Sequence, residues 1–436
     1  MPLTLQLDEA GVRDFGNMLL QQGTLCPIKS LSCDHFEVKQ QTTSMAFDGK
    51  PVSSSVLTLL FGILKRNETI EIIDLTSAGM DVAATMALET ALADNHSLTS
   101  LDLRGNETLW GLAESDEGRS SAAIESLARG LQSNDTISKV HVDAFELQVQ
   151  VLTGRAPTLE LHYPEDRKLS DVSAAVLCTL IEKNPAAKSL DLSKVKTAGQ
   201  LGHAVGRCLK GNTALVAVRL QESDLGNEGA SALATGLTQN SASAVRSLDL
   251  SSNSIGEEGA QQLAALLSAS TSLTRLDLTS NKLGARGTRA VMVSLHHNST
   301  LTALSLRDND VMEPGAAAVA AALEINGTLS TLWLGKNRIG DEGVVAIASA
   351  LVANKQKSQI AILDLHKNGT TKVGHASLTQ LLNESLGLTA LGLAGAKMQF
   401  TETEAMQSAA KEKPEIGRAK AVRLWMGSDM NKWPVL

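Results

Sequence analysis

LTRLDLTSNKLGARGTRAVMVSLHHNST, residues 273–300, and LSTLWLGKNRIGDEGVVAIASALVANKQ, residues 329–356, decide the fold. Each opens with leucines at alternating positions, the period of a strand with one buried face, then passes through an Asn and a Gly. Each closes on apolar residues three and four apart, the period of a half-buried helix. The first residues of successive L-x-L triplets are Leu190, Val218, Leu248, Leu276, Leu304, Leu332, Leu363 and Leu391, spaced 28, 30, 28, 28, 28, 31 and 28 residues apart. A fixed period of this length is a repeat of one strand and one helix. A lone unit cannot bury its apolar sides, so stacking on neighbours supplies the core.

The Asn after each strand, at Asn253, Asn281, Asn309, Asn337 and Asn368, sits where the backbone leaves the sheet with amides and carbonyls lacking partners, and its side chain is predicted to bridge adjacent turns. The Gly that follows, as in Gly256, Gly284 and Gly340, admits backbone conformations closed to branched residues; the next, as in Gly259 and Gly343, admits close helix packing. On these residues, LDLSSNSIGEEGAQQLAALL and LWLGKNRIGDEGVVAIASAL resemble leucine-rich repeats of the long, ribonuclease-inhibitor type, most specifically between Leu190 and Lys397. The resemblance implies an α/β leucine-rich-repeat solenoid, a horseshoe with a parallel β-sheet on its concave face and helices on its convex face.

Strands at Ile73 and Leu101 extend the array N-terminally, with Ala78 in the Asn place of the first. LSCDHFEV (31–38) and VHVDAFEL (140–147) align with each other, and the next strands of the array come 42 and 50 residues later. Each is predicted to carry an inserted β-hairpin, FEVKQ pairing with SMAFDG and FELQVQVL with TLELHY. A third insertion is ETLWGLAESDEGRS, residues 107–120. The expected organisation is an N-terminal cap over 1–30, a solenoid over 31–397 with hairpins near 36–49 and 145–163, and a C-terminal cap and tail over 398–436, with Val422 in a last degenerate strand. The tail WMGSDMNKWPVL, with Trp425 and Trp433, is expected to fold back or to dock on a partner.

Composition narrows the function. The 436 residues carry 39 Lys+Arg against 47 Asp+Glu and only 3% aromatics. A net charge of -8 argues against phosphate neutralisation, and the few aromatics argue against base stacking, so no nucleic-acid partner is expected. The four cysteines, Cys26, Cys33, Cys178 and Cys208, form no framework, and Cys178 and Cys208 fall on core-facing helical stretches. No window is apolar for 18 residues, and MPLTLQLDEAG does not read as a leader, so an intracellular, cytoplasmic protein without a membrane span is expected. Sequons at Asn67, Asn298 and Asn326 read as by-products of an N-x-x-L element of the repeat.

The residue between the two leucines points to the concave face, giving the row Asp74, Asp102, Asp191, Arg219, Asp249, Asp277, Ser305, Trp333, Asp364 and Gly392. Neighbouring carboxylates such as Asp249 and Asp277 are close enough to raise one another's pKa. The plainer and favoured reading is a solvated face, charges balanced by Arg246 and Arg275. Trp333 breaks the row, and Arg275, Arg307 and His366, with Arg219 further along, are predicted to surround it in the Trp/Arg composition of binding hot spots. Trp333→Ala should then weaken binding while barely changing stability, whereas Leu276→Ala or Leu278→Ala should cost about 2–5 kcal/mol. His296-His297 reads as a solvated helix end. No phosphate-loop, dinucleotide, zinc-protease or nucleophile-elbow motif occurs, and no cofactor or small-molecule substrate is expected.

The leading expectation is a non-enzymatic protein-protein interaction scaffold, a subunit of a multi-subunit assembly. The repeats are also similar to those of the activating protein for the small GTPase Ran. That resemblance implies a regulatory role, with Arg104 or Arg119 as the GTPase-contacting groups, although the acidic tail of that family is missing. A third expectation is a ligand-sensing or nuclease-inhibiting array, disfavoured because the inhibitors are rich in cysteine.

Overall fold

The computed structural model describes residues 3–4, 8–21, 31–32, 36–39, 41–106, 117–142, 145–156, 158–163, 169–195, 200–385, 387–393, 406–410 and 423–425. It divides into two compact units, residues 1–159 with 166–187 and residues 160–165 with 188–436.

In the first unit strands β1 (Leu3–Thr4), β2 (Leu31–Ser32), β3 (Glu37–Val38), β4 (Ser44–Ala46), β5 (Ile72–Asp74), β6 (Ser100–Asp102), β7 (Lys139–His141) and β8 (Glu146–Gln148) accompany helices α1 (Glu9–Gln21), α2 (Ser54–Leu64), α3 (Val82–Leu92), α4 (Glu117–Ser133), α5 (Val149–Leu152) and α6 (Asp171–Ile181). Two sheets result, in the orders β1-β2-β3 and β4-β5-β6-β7-β8. The expected pairing of FEVKQ with SMAFDG and of FELQVQVL with TLELHY is not found among the described residues. β3 turns back antiparallel onto β2, Leu31 facing Val38, and β8 turns back onto β7, Val140 facing Leu147. The residues expected to be their partners start new parallel sheets instead. Met45 faces Ile73, 28 residues on, and Leu161 faces Leu190. LSCDHFEV and VHVDAFEL are therefore sheet terminators: an antiparallel arm occupies the edge that the next repeat would otherwise extend.

The second unit contains β9 (Glu160–His162), β10 (Ser189–Asp191), α7 (Leu201–Gly211), β11 (Ala217–Arg219), α8 (Gly226–Gln239), β12 (Ser247–Asp249), α9 (Glu257–Ala269), β13 (Arg275–Asp277), α10 (Gly284–Ser294), β14 (Ala303–Ser305), α11 (Met312–Leu323), β15 (Thr331–Trp333), α12 (Gly340–Ala353), β16 (Ile362–Asp364), α13 (Lys372–Glu384), β17 (Ala390–Gly392) and β18 (Arg423–Trp425). All ten strands form one parallel sheet in sequence order. The last register sets Leu391 against Leu424, so the degenerate strand exists but is centred two residues beyond Val422.

The predicted core holds: Leu248, Leu276, Leu304, Leu332, Leu363 and Leu391 are buried between the sheet and the helices, Cys208 is buried in the same unit, and Cys178 is buried in the first. At Gly343 an added Cβ would stand 2.7 Å from the Ala316 Cβ of the preceding helix, so only Gly permits that approach. Gly284 and Gly340 have φ of 63° and 70°, as expected, but Gly256 does not, its φ being -102°.

Two asparagine series tie repeat to repeat. In the first, Asn337 Oδ1 accepts from the Asn309 amide at 2.8 Å, while its Nδ2 donates to the carbonyls of Leu306 and Leu334 at 2.8 and 2.9 Å. The second lies at the helix ends, where Asn326 Nδ2 donates to Leu295 and Asn298 carbonyls at 2.8 and 3.2 Å. Asn67, Asn298 and Asn326 are buried in this series, which accounts for the sequons.

Candidate protein-interaction face

Strand alternation turns the residues on either side of each central leucine to one face of the ten-stranded sheet. The register sets Asp191, Arg219, Asp249, Asp277, Ser305, Trp333, Asp364 and Gly392 side by side in one row, and Ser189, Ala217, Ser247, Arg275, Ala303, Thr331, Ile362 and Ala390 in the other. This face has two regions of different character.

Over β14 to β17 the face is closed. Trp333 is only 7% exposed and packs against Ala303, Ile362 and Ala390, an apolar patch supplied by the second row. The expectation of a solvent-facing Trp333 ringed by arginine is thus corrected: the ring belongs to a small core on the sheet surface. Beside it Asp364, fully buried, accepts from His366 Nδ1 at 2.8 Å, from the His366 backbone amide at 3.1 Å and from an Arg307 guanidinium nitrogen at 3.1 Å. The buried charge is thereby compensated by hydrogen bonds and a cation, as burial of a carboxylate requires. Gly392 and Gly335 make the room. A Cβ at Gly392 would come within 2.5 Å of the Asp364 carboxylate, and one at Gly335 would overlap the His366 ring. Arg307 and His366 thus meet around Asp364, while Arg275 and Arg219 lie two and four strands from Trp333.

Over β10 to β13 the face is open. Arg275 is exposed between the small neighbours Ser247 and Ala303, and Arg219 and Gln221 are exposed as well. Arg219 stands 4.0 Å from Asp191, an ion pair about half exposed and so weak. Ser247, not Arg246, occupies the place opposite Arg275. Asp277 departs from the solvated reading. Burial, and then the facing Asp249 carboxylate, push its pKa up to about 6. Thr279 donates its amide to Asp277 at 2.8 Å, and its hydroxyl shares a 2.7 Å bond with Ser305.

A family model described as "Leucine Rich repeat" matches residues 94–109, 211–234, 244–264, 269–292, 297–320 and 326–348, which fall on the strand-helix units just described. The chain is a leucine-rich-repeat protein. Among solved structures this leucine-rich-repeat chain is similar to the leiomodin-1 actin-binding site 2 (21% identity, TM-score 0.32, 37% of this chain and 91% of that one). It is also similar to the tropomodulin C-terminal domain of Caenorhabditis elegans (18%, TM-score 0.31, 37% and 95%) and to an internalin of Listeria monocytogenes (16%, TM-score 0.38, 96% and 88%). No curated protein matches the chain.

The remaining sequence candidates of this leucine-rich-repeat protein fall elsewhere. Arg104, in the first unit, folds back on Asp102, with Nε 2.9 Å from both carboxylate oxygens. Burial opposes the Asp102 charge, yet the Arg104 hydrogen bonds hold that carboxyl below its usual range. Arg119 lies in α4, and Trp425 in β18, with side chains outside the described residues, as are Trp110, Trp433, Cys26 and Cys33 altogether. His297 is exposed at the end of α10. Among the described residues, no group of three His, Cys, Asp or Glu could hold a metal ion, and no helix is long and apolar enough to cross a membrane.

Proposed function

We propose that this chain is a non-enzymatic protein-interaction scaffold, a structural or accessory subunit of an intracellular, cytoplasmic assembly. In this reading residues 1–30 and 398–436 cap the repeats, and the open part of the sheet face is the contact surface. Leucine-rich repeats are a protein-interaction fold, which sets the class. The observation that carries the placement is the open region over β10 to β13, where Arg219 and Arg275 project from strands, Arg275 between the small residues Ser247 and Ala303, and Gln221 is exposed in the turn after β11. A side chain held on a strand loses little freedom when it binds, and arginine is enriched among binding hot spots. The sheet runs roughly 45 Å for ten strands at about 4.8 Å spacing, long enough for a standard interface of about 800 Å² per partner. Trp333, closed off beside Asp364, lies outside that surface.

Site-specific photo-crosslinking in native extract tests the reading. A crosslinker at Gln221 or Arg275 should yield a defined partner, and one at the helix positions Gln262 or Arg289 should not. Adducts arising only from the helix positions would overturn the placement.

A further inference from the structure

The helix-end asparagine series is broken at two places in the second unit, and both breaks have the same cause. In a regular repeat, as with Asn240, Nδ2 donates to the carbonyls of Leu209 and Asn212 of the preceding repeat, both at 2.7 Å. Ser270 and Ser385 stand where the next asparagines would be, and each follows a repeat lengthened beyond 28 residues, to 30 and 31. The longer loops turn in on themselves. The Asn240 carbonyl accepts from the Ser243 amide at 3.1 Å, and the Asn354 carbonyl accepts from the Lys357 and Ser358 amides at 2.9 and 2.8 Å. With that carbonyl already satisfied, the cross-repeat amide has lost one of its two acceptors, and a serine suffices.

What fills the vacated space differs between the two places. At Ser385 only about 10 Å³ remains, and Lys355 crosses it, its Nζ reaching Glu384 at 3.3 Å. At Ser270 the residues equivalent to Lys355 and Glu384 are Ser241 and Ala269, too short to cross, and a cavity of about 230 Å³ stands open. Leu237, Val245 and Leu266 line it together with Thr238, Ser241 and Ser270, and none of its lining residues is ionisable.

We propose that this cavity is a docking slot for one bulky uncharged side chain, of leucine to tryptophan size, presented by a protein partner. The volume falls below the roughly 300–1,000 Å³ of pockets for drug-sized ligands, but suits a single anchoring side chain of the kind that dominates interface energetics. A charged group would lose its water here with no counter-charge in the lining, whereas an apolar one meets Leu237, Val245 and Leu266. The inference deepens the scaffold reading, on which it rests for the existence of a partner, but the test below needs no partner.

The full chain is titrated with N-acetyltryptophan amide and, separately, N-acetylaspartate, and binding is read by saturation-transfer NMR. The neutral probe should show transfer and the charged one none. Ser270→Asn restores the amide, and Ser241→Lys with Ala269→Glu transplants the Lys355–Glu384 strap. Each should cut transfer at least ten-fold while the circular dichroism melt stays cooperative, and the strap variant decides alone if Ser270→Asn fails to fold. No transfer to the wild-type chain, equal transfer to the charged probe, or undiminished transfer in a folded variant would overturn the proposal. Failure here leaves the crosslinking test of the β10 to β13 face standing, so the two readings fall separately.

Discussion

Replacing Trp333 by Ala separates a surface anchor from a structural core. A buried Trp removes up to about 250 Å² from water, worth roughly 6 kcal/mol at 25 cal/mol per Å². A realistic unfolded chain already hides part of that area, which lowers the figure to about 4 kcal/mol. The ring lies on a sheet face against Ala303, Ile362 and Ala390, not enclosed between layers, so water can refill the space and the extra cost of a sealed void largely disappears. The expected loss is therefore about 3 kcal/mol. Asp364 adds to it, because the register partner of Trp333 would gain access to water and its bonds to His366 and Arg307 would loosen. Urea denaturation followed by far-UV circular dichroism gives the loss, and hydrogen exchange localises it: the amides of Leu304, Leu332 and Leu363 should lose protection, those around Leu190 should not. Trp333→Phe should lose less than half as much. A loss under about 1 kcal/mol together with weakened partner crosslinking would show that Trp333 is a contact residue and not part of a core.

Other expectations follow from single residues. Asn337→Ala removes the acceptor for the Asn309 amide and the donor for the Leu306 and Leu334 carbonyls, all buried; a cost of about 3–5 kcal/mol is expected, and a cost near 1 in denaturant titrations would mean water replaces the side chain. Asp277 has a folded pKa raised to about 6 from 3.8, so folding takes up a proton in between and stability falls as pH rises through that range; Asp277→Asn should stabilise the chain at pH 8 and not at pH 4. A gain independent of pH would refute the assignment. Met312, 42% exposed, has φ of 55° where Gly226, Gly284 and Gly340 have 59°, 63° and 70°. Met312→Gly should relieve about 1–2 kcal/mol of left-handed strain and return about 0.4–1 through the unfolded chain, a net gain of about 0.5–1 kcal/mol measurable as a higher melting temperature. A lower melting temperature would contradict this.

The repeat was legible because its signals are redundant. Leucine spacing, the Asn after the strand and the Gly after that all mark the same boundaries, and the parallel register from Val218 to Leu391 follows the spacing residue for residue. The hairpin arms were not legible in the same way. FEV and SMA alternate equally well against either neighbour, and strands of two or three residues carry little register information. The deciding signal was the distance from Met45 to Ile73, a regular repeat that began at the supposed hairpin arm. On the sheet face, alternation told which side Trp333 occupies but not what covers it. That depended on the second row, where Ala303, Ile362 and Ala390 replace the polar and charged residues found at Ser247 and Arg275. The same logic extends to the helix-end asparagines, which passed as sequon by-products because one N-x-x-L looks like another. Their meaning lies in the two breaks, where a longer loop satisfies one carbonyl, an asparagine gives way to serine, and the side chains at two neighbouring positions determine whether the space closes or stays open.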